Sequence, residues 1–191
     1  FIVLILTALC LKEPEVFKEE IKEKTSLNDI FNLRYSIYIA LYFIASMVLY
    51  PILSGMSTYI TVNNLGSAAI AGTVISCHNI GGFIASFFIN ECIQTFKEKT
   101  TGLSFLIITI GISLVLFVPN VYIMGFGNAL TGVGFFILIS CITIYTGKIS
   151  DPSNLTMRST LLLVSMQLGM FLSSYFMDWS HAIFQCSTDV E

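Results

Sequence analysis

The sequence predicts an all-α, multi-pass transmembrane helix bundle, on the strength of three observations. The composition is 55% hydrophobic and 11% charged, whereas soluble domains carry roughly a quarter charged residues. The apolar residues gather in runs of about 17 to 27 residues, the length that crosses the hydrocarbon core of a bilayer. The nine lysines and arginines occur only in alternate polar segments between these runs, which is the positive-inside pattern of membrane helices.

The chain opens with a short apolar stretch, residues 1–11, and a polar segment, residues 12–35. Eleven helical residues rise only about 16 Å against a hydrocarbon core of about 30 Å. We therefore interpret 1–11 as a truncated transmembrane helix. The segment 12–35 is dense in glutamate and lysine and holds five of the nine basic residues, so it is interpreted as a cytoplasmic linker.

Five full apolar runs follow within 36–191 and predict a five-span bundle, because backbone groups in lipid must pair within a helix. Their short connections are typical of antiparallel neighbours. The basic residues put the linker in the cytoplasm and the C-terminal tail, 181–191, outside. Since this leaves an unfinished set of crossings, we expect that a final helix is missing. The spans are placed near Ser36–Val62, Gly66–Ile89, Gly102–Val118, Val121–Gly147 and Ser159–Trp179.

The first span carries a stripe of hydroxyl groups, with Tyr38, Tyr42, Ser46 and Tyr50 recurring every four residues. At 100° per residue such a stripe stays within about half of the helix circumference. Two interpretations remain open. The stripe lines a water-filled substrate cavity, or its hydroxyls bond between packed helices. Pro51 in the same span favours a kink near mid-depth.

Three later spans each carry polar residues near their middle. His78 and Asn79 are proton-coupling candidates, because intramembrane ionisable residues are functional by default and histidine exchanges a proton near neutral pH. The alternative is a neutral histidine that is bonded to a neighbouring helix. Asn128 and Gln167 are substrate-cavity candidates, although Asn128 lies among glycines whose spacing also suits close helix packing.

The sequence offers no chemistry of another class. The zinc motif H-E-x-x-H, the phosphate-binding motif G-x-x-x-x-G-K-[ST] and a complete G-x-S-G are absent from the sequence, so no enzyme is expected. The five cysteines show no C-x-x-C spacing, so neither a metal site nor a cofactor is expected. Nucleic-acid binding is not expected either, since no basic surface could support it.

Two stretches resemble helices of one known family, the major facilitator superfamily. Residues 64–84, with Asn64-Leu65-Gly66-Ser67 and Gly81-Gly82-Phe83-Ile84, look like its eighth helix, and residues 158–173 look like its eleventh. The loop after the second span departs from the family motif G-x-x-x-D-R-x-G-R-R. Asn90 stands for its glycine, Gln94 for its acid and Thr95 for its first base, and Lys99 alone keeps a basic terminus.

The resemblance implies half of a major facilitator superfamily fold, from the end of helix six to helix eleven. In that family the seventh and tenth helices line the cavity and the ninth faces lipid. It implies a secondary active transporter in the cell membrane that moves a small solute by alternating access, through efflux or proton coupling. The implied partners are the lipid bilayer, the solute and the missing N-terminal transporter half. A non-transporting membrane scaffold or partner subunit is the alternative.

Overall fold

The computed structural model describes residues 32–97 and 99–188, with side chains for 32–97, 99–151 and 154–175. These residues form helices and no strands. The predicted truncated helix, 1–11, and nearly all of the linker, 12–35, lie outside the described residues. The helices are α1 (Leu33–Val62), α2 (Ala68–Phe96), α3 (Lys99–Phe117), α4 (Val121–Ile149) and α5 (Pro152–Thr188).

Each of the five helices contains a stretch long and apolar enough to cross a membrane. In α5 this stretch is Asn154–Tyr175. The predicted fold class, an all-α transmembrane bundle, is confirmed. No sheet accompanies the helices in the described part of the chain.

The helix ends follow local capping signals and not the limits of the apolar runs. Asn32 begins α1 by accepting the Tyr35 backbone N–H at 2.9 Å, and Asn120 caps α4 by accepting two backbone N–H groups. Such side chains satisfy donors that a helix leaves unpaired at its first turn. Lys97, with φ 49°, ends α2. α2 and α5 therefore extend beyond the predicted spans, because hydrophobicity reports the hydrocarbon thickness and not the length of the helix.

α4 is the central helix of the bundle. It makes its most extensive contacts with α2 and α3, while α1 packs chiefly against α5. Two clusters of buried apolar side chains join these pairs. One contains Leu49 of α1, Ile142 of α4 and Leu162 of α5, and the other contains Met56 of α1 and Val74 of α2. These clusters bring side chains from every helix together.

Glycines let the backbones of α2 and α4 touch. A Cβ atom added at Gly81 would meet the Ala129 backbone oxygen, and one added at Gly132 would meet the His78 backbone oxygen. Small residues at such crossings allow close approach, and dispersion contacts then hold helices together where lipid removes the hydrophobic driving force. The predicted packing role of the glycines around Asn128 agrees with this geometry.

Candidate functional site

The most polar point inside the bundle lies between α2 and α4. His78 of α2 is 5% exposed, and its Nδ1 atom lies 3.2 Å from the Thr131 hydroxyl oxygen of α4. The Thr131 hydroxyl in turn donates to the Asn128 backbone oxygen at 2.7 Å. Because this hydroxyl has one proton and has given it to Asn128, it accepts from the histidine. In that arrangement a neutral His78 holds its proton on Nδ1 and its lone pair on Nε2, while the contact itself allows either tautomer.

Asn128 joins the same contact from α4. Its Nδ2 group donates to the Val74 backbone oxygen of α2 at 3.0 Å, and the residue is fully buried. Its Oδ1 atom is buried without a hydrogen-bond partner among the described residues. The rings of Phe135 and Phe136 lie with their centroids 6.0 and 6.3 Å from that of His78. The cluster is thus polar at its centre and aromatic at its edge.

The hydroxyl stripe of α1 changes its surroundings along the helix. Tyr42 and Ser46 are buried, and the Ser46 hydroxyl donates to the Tyr42 backbone oxygen at 2.7 Å. Tyr38 is half-buried and stacks on Tyr145 at 6.4 Å between ring centroids, whereas Tyr50 is 40% exposed. Four residues turn a helix by 400°, so the stripe drifts about 40° at each step. It starts against the bundle and ends on its surface.

The remaining predicted residues, Asn79 and Gln167, are both exposed. Within the part of the chain that the structure describes, neither carboxamide makes a hydrogen bond. The structure therefore gathers His78 and Asn128 into one helix contact and leaves Asn79 and Gln167 on outer surfaces. The predicted residues do not converge on a single cavity within this bundle.

The outward faces of the helices differ in polarity. α3 presents Leu106, Ile110 and Phe117, all of them exposed. On α2 and α5, exposed polar side chains at a helical spacing of three, four or seven residues lie among exposed apolar ones, which include Phe83, Phe87 and Phe171. These polar residues are Ser76, Asn79, Ser86 and Asn90 on α2, and Thr156, Thr160, Gln167 and Ser174 on α5.

Two interhelical contacts were not predicted from the sequence. Thr131 was not predicted as the partner of His78. It follows Asn128 by three residues and lies on the same face of α4. The second is that of Arg158, whose guanidinium donates to the Ile149 backbone oxygen at 2.8 Å and lies 5.2 Å from the Tyr35 ring centroid. Tyr35 donates to the Arg158 backbone oxygen at 2.6 Å. The contacts of Tyr35 and Arg158 thus join α1, α4 and α5 at the basic end of the bundle.

A cavity of about 670 Å³ opens between α2 and α4 at the end opposite the basic residues. Its lining includes Val74, Cys77, Tyr122 and Phe126, and none of the predicted site residues. Among the described residues, no group of three or more histidine, cysteine, aspartate or glutamate side chains is placed to hold a metal ion.

Five helices that are long and apolar enough to cross a membrane define a multi-pass membrane bundle. The family model of the Major Facilitator Superfamily matches residues 1–185. The chain therefore belongs to this family of membrane transporters. No curated protein and no solved structure matches the chain.

Proposed function

We propose that the chain is part of a secondary active transporter that moves a small amphiphilic solute by alternating access. The proposal rests on one observation, the exposure of the Asn79 and Gln167 carboxamides on the outward faces of α2 and α5. Both residues lie near the middle of their spans. A site at that depth is where secondary transporters bind solute.

The cost of exposing an amide to lipid supports the proposal. An amide without a hydrogen bond in hydrocarbon costs about 4 to 8 kcal/mol relative to water. Serine and threonine avoid this cost by bonding to their own helix, as the Thr160 hydroxyl does to the Thr156 oxygen at 2.9 Å. The two carboxamides have no such bond in the described part of the chain. They therefore favour contact with water or another polypeptide over contact with lipid.

The proposed polypeptide is an N-terminal transporter half that covers these faces. Rocking of the two halves would open the space between them alternately to each side of the membrane.

The exposed residues also suggest the class of solute. Between residues 76 and 86 the exposed positions of α2 carry no charge, and Tyr50 adds an exposed ring on α1. Uncharged amides and an exposed aromatic ring suit a neutral or weakly polar solute.

The proposed coupling residue is His78. In the neutral tautomer that Thr131 favours, Nε2 holds the lone pair that takes up a proton. Protonation would make both ring nitrogens donors in a contact where α2 and α4 meet. A proton arriving there could shift the packing of α2 against α4 and so couple proton movement to rocking.

The test uses full-length protein reconstituted in lipid vesicles with an imposed pH gradient and an amphiphilic fluorescent dye as solute. Replacing Asn79 and Gln167 together by leucine should lower the initial rate of dye transport at least about tenfold, as expected for loss of two hydrogen-bonding groups. Thr109→Val, which removes a hydroxyl from the apolar face of α3, is the control and should transport normally. Unchanged transport by the double variant would contradict the proposed site.

The coupling step is tested separately with His78→Gln, which keeps a polar side chain at that position. Initial transport rates are measured at several pH values in the same vesicles. We expect the variant to lose the pH dependence of the parent protein. A variant with the parent's rate and pH profile would rule out coupling through His78 but would leave the carrier proposal standing.

A scaffold function has one observation in its favour, because His78 and Asn128 both lie in a helix contact. Gln167 does not share that contact, since its side chain is exposed and packs into no described contact. A scaffold predicts that the parent protein moves no solute. In that case, Gln167→Leu would release a co-purifying membrane partner while vesicle transport is absent throughout.

A further inference from the structure

A second pocket, separate from the polar cluster, lies at the basic end of the bundle. It has a volume of about 300 Å³ and lies among α1, α3 and α4. This is the end where the connection between α4 and α5 and the start of α1 meet. Its lining residues are Arg34, Ile37, Tyr38, Thr101 and Tyr145.

The pocket is electropositive. Arg34 stands in the first turn of α1 and Thr101 in the first turn of α3. The N-terminal ends of both helices therefore add partial positive charge, and the C-terminal end of α4, close to Tyr145, adds partial negative charge. Lys148, in the last turn of α4, lies with its Nζ atom 5.4 Å from the ring centroid of Tyr145. No carboxylate belongs to the described lining of the pocket. Its field therefore attracts an anion.

The pocket also combines interfacial and apolar surfaces. The rings of Tyr38 and Tyr145 stack with 6.4 Å between centroids, and tyrosine rings are favoured at the level of lipid head groups. Ile37 is 48% exposed beside them and offers apolar surface. A ligand that suits both parts carries a negative head on a hydrocarbon body.

We propose that this pocket binds the phosphate head group of an anionic phospholipid in the leaflet on the basic side of the membrane. The guanidinium of Arg34 can bind two phosphate oxygens, while Lys148 contributes a point charge. The Thr101 hydroxyl makes no hydrogen bond within the described residues and can donate to a third oxygen. Basic pockets between transmembrane helices on the cytoplasmic side are suited to such head groups.

The experiment measures phospholipid retained by the full-length protein. The protein is reconstituted in nanodiscs made of equal parts of phosphatidylcholine and phosphatidylglycerol, then released into mild detergent and examined by native mass spectrometry. The parent protein should retain phosphatidylglycerol in preference to phosphatidylcholine. Arg34→Gln and Lys148→Gln should each weaken this preference about fivefold, which corresponds to about 1 kcal/mol for a charge next to the bound phosphate.

Two further variants separate a built site from a general attraction. Lys97→Gln removes an exposed basic residue from the loop between α2 and α3 at the same end of the bundle, and it should leave the preference unchanged. Thr101→Val removes the hydroxyl without a change of charge and should weaken the preference by a smaller factor than Arg34→Gln. A loss with Lys97→Gln equal to that with Arg34→Gln would overturn the proposal.

The last arm distinguishes a lipid from a soluble phosphate compound. Inorganic phosphate is added during release into detergent, with sodium chloride at matched ionic strength as its control. If phosphate displaces phosphatidylglycerol no better than chloride does, the lipid proposal is supported. If phosphate displaces the lipid specifically, the pocket is a site for soluble phosphates and the proposal fails. Thermal unfolding of each variant shows that it is folded, and Arg34→Lys should retain most of the preference.

Discussion

His78 and Asn79 are neighbours in the sequence and have opposite surroundings. The imidazole of His78 is buried against α4 and bonded to Thr131, while the carboxamide of Asn79 is exposed and makes no hydrogen bond in the described part of the chain. Both are polar residues in the middle of an apolar helix. Polar residues within a span therefore have two different roles: some form contacts inside the bundle, and others lie on a face that is open to water or to another polypeptide.

The same contrast extends along the whole of α2. Its inward side presents Gly81, Gly82 and Ala85 to α4, and all three are buried. Its outward side presents Ser76, Asn79 and Ser86. Changes on the inward side should therefore alter the stability of the bundle and, at His78, the proposed proton coupling as well. Changes on the outward side should alter transport.

The largest effect is expected from Gly81→Ala. The added methyl group would meet the Ala129 backbone oxygen of α4, and since a backbone atom cannot rotate away, α2 must move. Overpacking of this kind costs about 1 to 3 kcal/mol. The measurement is the free energy of unfolding in detergent. Gly72→Ala, in the same helix with nothing within 4 Å of the added atom, should be neutral or slightly stabilising.

Gly81→Ala should therefore be clearly less stable than Gly72→Ala. Equal stabilities for the two variants would mean that α2 and α4 do not approach as closely as the structure shows.

A smaller loss is expected from Thr131→Val, which leaves the His78 Nδ1 proton without its acceptor. Interhelical hydrogen bonds in membranes contribute about 0.6 kcal/mol on average and up to about 1.7 kcal/mol, so we expect about 1 kcal/mol of destabilisation in the same unfolding measurement. Thr131→Ser keeps the hydroxyl and should lose less. If serine and valine destabilise equally, the hydrogen bond that valine removes contributes no more than the methyl packing that serine removes.

A still smaller effect on stability is expected from Asn79→Leu. The side chain touches no partner within the described bundle, so the free energy of unfolding should change by less than about 0.5 kcal/mol, as for other exposed positions. Transport should nevertheless fall, because the outward face is where the proposed solute path lies. A large loss of stability with normal transport would reverse the assignment of the two sides of α2.

The smallest effect is expected from Thr109→Val on α3. The Thr109 hydroxyl donates to the Phe105 backbone oxygen of its own helix at 2.8 Å, and valine has nearly the same shape. Neither unfolding nor vesicle transport should change measurably. A loss of transport here would show that α3 does not simply face lipid.

Much of the fold could be predicted because it depends on local properties of the chain. Five long apolar runs predict five helices, since hydrocarbon leaves helical pairing as the available solution for the backbone. The helix ends could not be placed as well, because α2 continues to Phe96 through polar residues that gave no apolar signal.

The candidate site could be predicted only in part. A buried histidine must have a partner, and this need could be stated from His78 alone. That the partner is Thr131 depends on how α2 crosses α4, and a single sequence does not record contacts between residues so far apart. The stripe from Tyr38 to Tyr50 keeps within about half of the circumference, as its spacing predicts. Which part of that half faces the bundle depends on helix packing, so Tyr42 and Ser46 are buried while Tyr50 is exposed.

The sequence by itself determined the class of protein, because the length of its apolar runs, the placement of its basic residues and its family match are properties of the chain read in order. The tertiary structure alone decided which polar groups are bonded and which are exposed, since a rotation of one helix by 100° exchanges the surroundings of His78 and Asn79. Local propensity cannot fix that angle. It is set by the glycine contacts through which α2 and α4 meet.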